Sequence, residues 1–170
     1  MIKVTSQSPT ETYELGKAIG TICEGGELIA LNGELGTGKT VLTQGIAKGL
    51  GIHEYIHSPT FTIINEYSGP VWLYHVDFYR LQEKDEIDEL GLDEYASRKG
   101  VLVIEWANKF LERLPSPRMV VSFKTISELQ RELRIHTIGS PSESLSDLLE
   151  VIEDADSIDQ IVNEIINKVR

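Results

Sequence analysis

Eight consecutive residues in the first part of the chain have the types and spacing of a phosphate-binding loop. The segment 33–40 reads GELGTGKT and fits the pattern G-x-x-x-x-G-K-[ST]. In such a loop the glycines let successive backbone N–H groups converge on phosphate oxygens, and the helix that follows adds its positive N-terminal dipole. The predicted nucleotide-binding residues are Gly33, Glu34, Leu35, Gly36, Thr37, Gly38, Lys39 and Thr40. The Lys39 ammonium would reach the β- and γ-phosphates of a nucleoside triphosphate, and the Thr40 hydroxyl would ligate Mg²⁺.

A site of this kind also needs an acidic side chain at the end of a neighbouring strand, to hold Mg²⁺ or its water shell. Glu105 follows the apolar run 101–104, and a carboxylate there is costly in a buried strand unless a cation or hydrogen bonds compensate it. Asp77 ends the run 71–76, where it could orient or deprotonate the attacking water. Lys39, Asp77 and Glu105 are therefore the candidate catalytic residues, and Thr40 and Glu105 the candidate metal ligands. Which acid acts on the metal and which on the water stays open, and either could be a structural strand-end acid.

Three further polar residues accompany these acids. Because side chains alternate along a strand, His75 should face the same side as Asp77, either as a hydrogen-bonded neighbour of the site or as a ligand. Arg80 is equally compatible with a phosphate clamp and with a structural salt bridge. Thr60 lies in the segment 58–61, about twenty residues after the phosphate loop, where a threonine can sense the γ-phosphate. The same segment could also be only a turn that leads into a strand.

The elements that must position these residues are indicated by hydropathy and turn signals. Residues 8–11 (SPTE) are typical of a helix start, with a capping serine and a proline in the first turn. Strands alternate with helices in the first half and dominate afterwards, which favours an α/β fold with a mixed β-sheet flanked by helices, as in phosphate-loop NTPases. Strands are predicted over 2–4, 28–31, 61–67, 71–78, 101–104, 119–123 and 132–138, the third and fourth forming a hairpin, and an acidic helix over 83–95.

The end of the chain is predicted to be a separate acidic unit. Residues 141–170 carry eight acids and two bases, and the segment 139–142 (GSPS) breaks the preceding pattern. We therefore divide the chain into a phosphate-loop domain, 1–138, and an acidic C-terminal helical extension, 139–170. Its two apolar stripes pack on the body or on each other, or else bind a partner. The stripes are Leu145, Leu148, Leu149 and Ile152, then Ile158, Ile161, Val162, Ile165, Ile166 and Val169.

Composition excludes several classes of protein. The 170 residues include 16 basic and 27 acidic ones, which gives a net charge of −11. Such acidity argues against a broad nucleic-acid-binding surface, because nonspecific affinity for phosphate backbones comes from clustered lysines and arginines. A single cysteine, Cys23, excludes an intrachain disulfide and a multi-cysteine zinc site. No signal peptide or membrane span is recognised, so a cytoplasmic location is expected.

Five segments together resemble the TsaE family in content and in order. They are 33–40 (GELGTGKT), 58–67 (SPTFTIINEY), 75–81 (HVDFYRL), 89–95 (ELGLDEY) and 103–106 (VIEW). The resemblance implies a small phosphate-loop ATPase with a mixed sheet. It also implies work with the TsaD and TsaB proteins in forming the threonylcarbamoyl group on adenosine 37 of tRNA, so that tRNA is engaged only through the complex.

For the site, the resemblance implies ATP at the phosphate loop, Mg²⁺ served by Thr40 and Glu105, and functional roles for Thr60 and Asp77. The helices beyond Gly139 lie outside the resemblance. Two other functions remain as alternatives. A small-molecule kinase would use Asp77 as the base for a substrate hydroxyl, but the sequence has no Arg-rich run of the kind that forms a kinase lid. A nucleotide-gated scaffold would bind ATP without releasing phosphate.

Overall fold

A mixed sheet of seven strands runs through the centre of the molecule, which the computed structural model describes from residue 1 to residue 170. The strands are β1 (Ile2–Ser6), β2 (Leu28–Asn32), β3 (Ile64–Tyr67), β4 (Trp72–Asp77), β5 (Gly100–Glu105), β6 (Arg118–Thr125) and β7 (Arg131–Ile138). Their spatial order is β1-β7-β6-β2-β5-β4-β3. The four strands β6, β2, β5 and β4 are parallel, whereas β7 and β3 run antiparallel to their neighbours. The carboxyl ends of β2, β4 and β5 therefore meet at one edge.

Helices cover both faces of the sheet. They are α1 (Pro9–Ile22), α2 (Lys39–Gly49), α3 (Lys84–Glu89), α4 (Leu92–Ser97), α5 (Glu143–Asp154) and α6 (Ile158–Val169), with a 3₁₀ segment over Ala107–Arg113. Alternate residues of β2 enter two cores: Ile29 and Leu31 pack with α1, α2, α5 and α6, and Leu28 and Ala30 with α3, α4 and the 3₁₀ segment. None of the helices is long and apolar enough to cross a membrane.

Three local features differ from the sequence-based expectation. The strand predicted over 61–67 starts only at Ile64, because Ile63 has a positive φ of 70° and Phe61 is 82% exposed in the preceding turn. The helix predicted over 83–95 is two short helices, since Gly91 adopts φ 70° between them. The 3₁₀ segment was not predicted.

Helices α1 and α2 cross in direct backbone contact. A Cβ atom at Gly16 would lie 2.2 Å from the Leu42 carbonyl oxygen, and one at Gly45 would lie 2.1 Å from the Tyr13 carbonyl oxygen. Each glycine is followed four residues later by another with the same constraint. Only residues without a side chain allow so close an approach of two helices, so this crossing fixes the position of α2 and of the loop before it.

The two C-terminal helices pack on the body of the protein. Their apolar residues belong to the same core cluster as Ile29 and Leu31, beside α1 and β1. Ile166 and Val169, which were expected on the buried stripe of α6, are 41% and 58% exposed. Separation into two units after residue 138 stays a prediction. The fully buried residues of the two helices are Leu145, Leu148, Val151, Ile152, Ile158, Ile161 and Ile165.

Candidate functional site

The predicted phosphate loop connects β2 to α2 at the edge where the parallel strands end. Gly38, immediately before α2, has φ 105°, a left-handed conformation that favours glycine. A Cβ at Gly33 would lie 2.8 Å from Thr37 Oγ1 and 3.0 Å from Phe123 Cβ. Both glycines are therefore required by the local backbone, and they leave the N-terminus of α2 open to an anion.

Lys39 is the charged residue at the centre of this loop, and it is buried. Its Nζ donates to the carbonyl oxygens of Gly33 at 2.7 Å and Glu34 at 2.8 Å and lies 4.3 Å from the Trp106 ring centroid. Burial lowers the pKa of the Lys39 ammonium, while the Glu105 carboxylate acts in the opposite direction. An ammonium held by neutral carbonyls alone retains the ability to bind an anion.

Glu105, the last residue of β5, is buried beside the start of α2. Its Oε1 atom accepts a hydrogen bond from Thr40 Oγ1 at 2.9 Å and lies 2.8 Å from His75 Nε2. The two candidate metal ligands, Thr40 and Glu105, are thus in direct contact. His75 contacts the acid from within the sheet and does not line the cleft, so it is a hydrogen-bonded neighbour of the site rather than a ligand.

Asp77, the last residue of β4, is the second buried acid. Its Oδ2 atom accepts from Ser58 Oγ and Thr60 Oγ1, both at 3.1 Å, and its Oδ1 atom accepts from the Tyr79 backbone N–H at 2.7 Å. The two hydroxyls are themselves 2.8 Å apart. Asp77 therefore ties the loop that carries Thr60 to the edge of the sheet.

These residues line one cleft of about 470 Å³. Most of the predicted site residues line this cleft. Gly33 and Glu34 do not line it, but their carbonyl oxygens accept hydrogen bonds from Lys39. The structure brings together the phosphate loop, Thr60, Asp77 and Glu105; their roles stay predictions. The cleft is lined by Leu35, Gly36, Thr37, Gly38, Lys39, Thr40, Val41, Ser58, Thr60, Asp77, Tyr79, Glu105 and Trp106.

Comparison with known proteins identifies the family. The model of the family described as "Threonylcarbamoyl adenosine biosynthesis protein TsaE" matches residues 6–133. The chain belongs to the TsaE family. It is 40% identical over 149 residues to the tRNA threonylcarbamoyladenosine biosynthesis protein TsaE of Bacillus subtilis, covering 87% of this chain and 93% of the relative. The TsaE protein of Treponema pallidum is 36% identical over 134 residues, or 79% of this chain and 99% of the relative.

A solved structure supports the same assignment. The crystal structure of Bacillus subtilis YdiB matches with a TM-score of 0.74 at 36% identity, covering 88% of this chain and 96% of that one. The predicted family and fold class are confirmed, and TsaE-family proteins take part in tRNA threonylcarbamoyladenosine biosynthesis. The similarity to the Bacillus TsaE protein covers 149 residues, more than the 138 before the predicted extension. The sequence had suggested that the helices beyond Gly139 lie outside the resemblance. The alignment is too long for that, so it includes part of the C-terminal extension.

Arg80 does not join this TsaE-family site. Its side chain is exposed, makes no salt bridge, and has its guanidinium carbon 5.1 Å from the Phe61 ring centroid. Sequence reasoning also missed three contributions: the Ser58 hydroxyl, the Tyr79 backbone N–H and the Trp106 ring. All three residues lie in segments that resemble the family, 58–67, 75–81 and 103–106, but only Ser58, two residues before Thr60, had a spacing that pointed to the site.

The residues of the TsaE-family site fit a nucleotide with a divalent cation. The loop supplies backbone N–H groups and one buried ammonium, and Thr40 and Glu105 supply hard oxygen atoms suited to Mg²⁺. No group of three or more His, Cys, Asp or Glu side chains is arranged to hold a metal ion. A Mg²⁺ ion at this site would therefore take its further ligands from phosphate oxygens and water, as Mg²⁺ commonly does.

Proposed function

We propose that the chain is a Mg²⁺-dependent ATPase that supports TsaD and TsaB in forming the threonylcarbamoyl group on adenosine 37 of tRNA. The observation that carries this proposal is the hydrogen bond between Thr40 and Glu105, beside the buried ammonium of Lys39. A loop-end hydroxyl next to a strand-end acid is the pair that holds Mg²⁺ in phosphate-loop NTPases. Membership of the TsaE family supports the tRNA pathway.

Lys39 and the Thr40–Glu105 pair have separate tasks. Lys39 leaves the carbonyls of the loop and binds phosphate oxygens, an exchange that replaces two neutral acceptors with a charged one. Thr40 and Glu105 would hold the cation. Bound Mg²⁺ would neutralise charge that develops on the transferred phosphoryl group.

Asp77 and Thr60 form a second group of contacts in the same cleft. The Asp77 carboxylate already accepts two hydroxyl groups and one backbone N–H, so it is held in one orientation at the end of β4. In the proposal it orients the attacking water, and the loop that carries Thr60 responds to the γ-phosphate. Loss of the hydrogen bond from either Thr60 or Ser58 would free one acceptor position on Asp77 Oδ2 for that water.

Turnover is expected to be slow in the isolated chain and faster with its partners. Leu35 and Tyr79 line the cleft and are exposed, so the mouth of the cleft is open to solvent. A partner protein that covers these side chains would exclude water and strengthen the electrostatic interactions inside the cleft. This covering role belongs to the TsaD–TsaB complex.

Phosphate release by the purified chain tests the proposal. It should be measured for the chain alone and with TsaD and TsaB, each in Mg²⁺ and in EDTA, with Lys39→Ala as the inactive control. We expect slow, Mg²⁺-dependent release that rises when both partners are present. Binding of ATP with no release under any of these conditions would contradict the ATPase and support the nucleotide-gated scaffold instead.

A further inference from the structure

His75 is a fully buried histidine whose only side-chain hydrogen bond goes to Glu105. Its residue exposure is 0%, Nε2 lies 2.8 Å from Glu105 Oε1, and Nδ1 is buried with no partner. Buried polar atoms normally have hydrogen-bond partners. The imidazole thus gives up one of its two polar contacts, and the one that it keeps is to the candidate metal-binding acid.

The direction of this hydrogen bond follows from the partners of the shared oxygen. Glu105 Oε1 also accepts from the Thr40 hydroxyl, and a carboxylate oxygen can only accept, so His75 Nε2 is the donor in this contact. If the ring is neutral, Nδ1 carries a lone pair and no proton. If the ring is doubly protonated, Nδ1 carries a buried N–H group without an acceptor. In either form the imidazole donates to Glu105 through Nε2.

The register of the sheet explains why His75 reaches only the acid. In the β4–β5 pairing, His75 is opposite Val103 and Asp77 is opposite Glu105. Side chains two residues apart on a strand share a face, so His75 lies one pleat further from the cleft than Asp77 does. Thr40 approaches Glu105 from α2, and His75 approaches it from β4. Two donors on separate elements thus hold one carboxylate oxygen.

We propose that His75 is a positioning residue that fixes the Glu105 carboxylate beside Thr40 and thereby raises the affinity of the site for the divalent cation of a nucleotide complex. The inference rests on the proposed function, because it takes Glu105 as a ligand for the cation or its water shell. Groups that orient metal-binding side chains commonly change metal affinity by about 10- to 100-fold when they are removed.

The test measures Mg²⁺ affinity rather than turnover. Full-length variants are saturated with a non-hydrolysable ATP analogue and titrated with Mg²⁺ by calorimetry, and analogue binding is also measured in EDTA. His75→Leu removes the donor, His75→Gln retains an amide N–H near the position of Nε2, and His136→Gln on β7 is the matched control. We expect about a 10- to 100-fold loss of Mg²⁺ affinity in His75→Leu, recovery to within about threefold in His75→Gln, and unchanged binding in EDTA.

A second comparison tests whether His75 acts through Glu105. In a Glu105→Gln background, His75→Leu should cause no additional loss, because residues that act as a unit are not additive. Full Mg²⁺ affinity in folded His75→Leu, or an equal loss of binding in EDTA, would overturn the inference. If His75→Leu does not fold, His75→Asn, whose amide is too short to reach Glu105, replaces it beside His75→Gln. Wild-type protein that binds the analogue equally with and without Mg²⁺ would contradict the proposed function itself.

Discussion

Asp77 and Glu105 are opposite each other in the register of β4 and β5, yet their carboxylates have entirely different hydrogen-bond partners. Glu105 accepts from Thr40 at the start of α2 and pairs with His75. Asp77 accepts from the loop that carries Thr60. The sequence left open which acid acts on the metal, and this separation supports Glu105 for the metal and Asp77 for the water and the loop.

Glu105→Gln should separate nucleotide binding from turnover. The substitution keeps the shape and the hydrogen-bonding capacity of the side chain but removes the charge that attracts the cation. We expect ATP still to bind and phosphate release to fall at least about tenfold. This corresponds to an increase of at least about 1.4 kcal/mol in the activation barrier. Asp77→Asn is the matched comparison. If Asp77→Asn abolishes Mg²⁺-dependent binding while Glu105→Gln has no effect, the two roles have been exchanged.

Lys39→Ala should weaken triphosphate binding in a chain that stays folded. The lysine contributes hydrogen bonds to two loop carbonyls but little to the apolar cores. Charge-assisted hydrogen bonds contribute about 1.5–3 kcal/mol, which corresponds to a loss of roughly ten- to 150-fold in affinity. Calorimetry with ATP measures the loss, and circular dichroism verifies the fold. Equal ATP affinity in a folded variant would refute the assignment of the loop.

As the pH rises, nucleotide affinity should begin to fall at a lower pH than it would if Lys39 had the pKa of an ordinary lysine. Burial places the pKa of Lys39 below the usual value of 10.5, and only its protonated form attracts phosphate. Affinity should therefore be constant at lower pH and fall as the pH rises through the lowered pKa. In that window the unfolded chain binds more protons than the folded one, so the contribution of Lys39 to stability increases with pH. Lys39→Arg, which stays charged, should not show the decrease in affinity.

Gly45→Ala should destabilise the protein although alanine is the better helix former. Replacing a helical glycine by alanine gains about 1 kcal/mol in helix propensity. Here the new Cβ would lie 2.1 Å from the Tyr13 carbonyl oxygen, and an overpacked contact typically costs about 1–3 kcal/mol. We expect a net loss of stability in denaturant unfolding, together with weaker ATP binding because α2 and its loop shift. Lys48→Ala, exposed on the same helix, is the control and should be nearly neutral.

Ile161→Ala should show that α6 belongs to the core. Ile161 is buried in the large cluster, whereas Ile166 on the same helix is 41% exposed. Truncation of a buried isoleucine to alanine costs about 2–5 kcal/mol, and a surface substitution changes stability by about 0.5 kcal/mol or less. Chemical denaturation of the two variants gives the comparison. A similar small effect for both would indicate that α6 is held only loosely on the body.

Short-range signals predicted much of the fold and most of the candidate site. The phosphate loop is contiguous in sequence, and Ser8 caps α1 through the Glu11 backbone N–H, as its local pattern indicated. Contacts between distant residues were not available in the same way. The Glu105 contact with His75 spans 30 residues, and that between Ser58 and Asp77 spans 19, so both depend on how the strands pair.

Periodicity alone also misplaced residues whose surroundings decide their exposure. Val169 continues the apolar repeat of α6, but it is exposed because it lies at the end of that helix. The break at Gly91 depends on one residue that adopts φ 70°. A glycine inside a helical pattern is tolerated or breaks the helix according to tertiary contacts, which the local sequence does not report.

The backbone crossing of α1 and α2 limits how the molecule can respond to its ligand. At Gly16 and Gly45 the two helices already touch without side chains between them, so there is no deformable layer that would let α2 slide or tilt while the rest of the fold stays in place. The helix that presents the phosphate loop thus behaves as a fixed reference frame. The segment 58–60 contains no glycine crossing of this kind, and two of its hydroxyls are hydrogen-bonded to Asp77. We therefore expect any displacement that accompanies nucleotide binding to involve the segment 58–60 rather than α2.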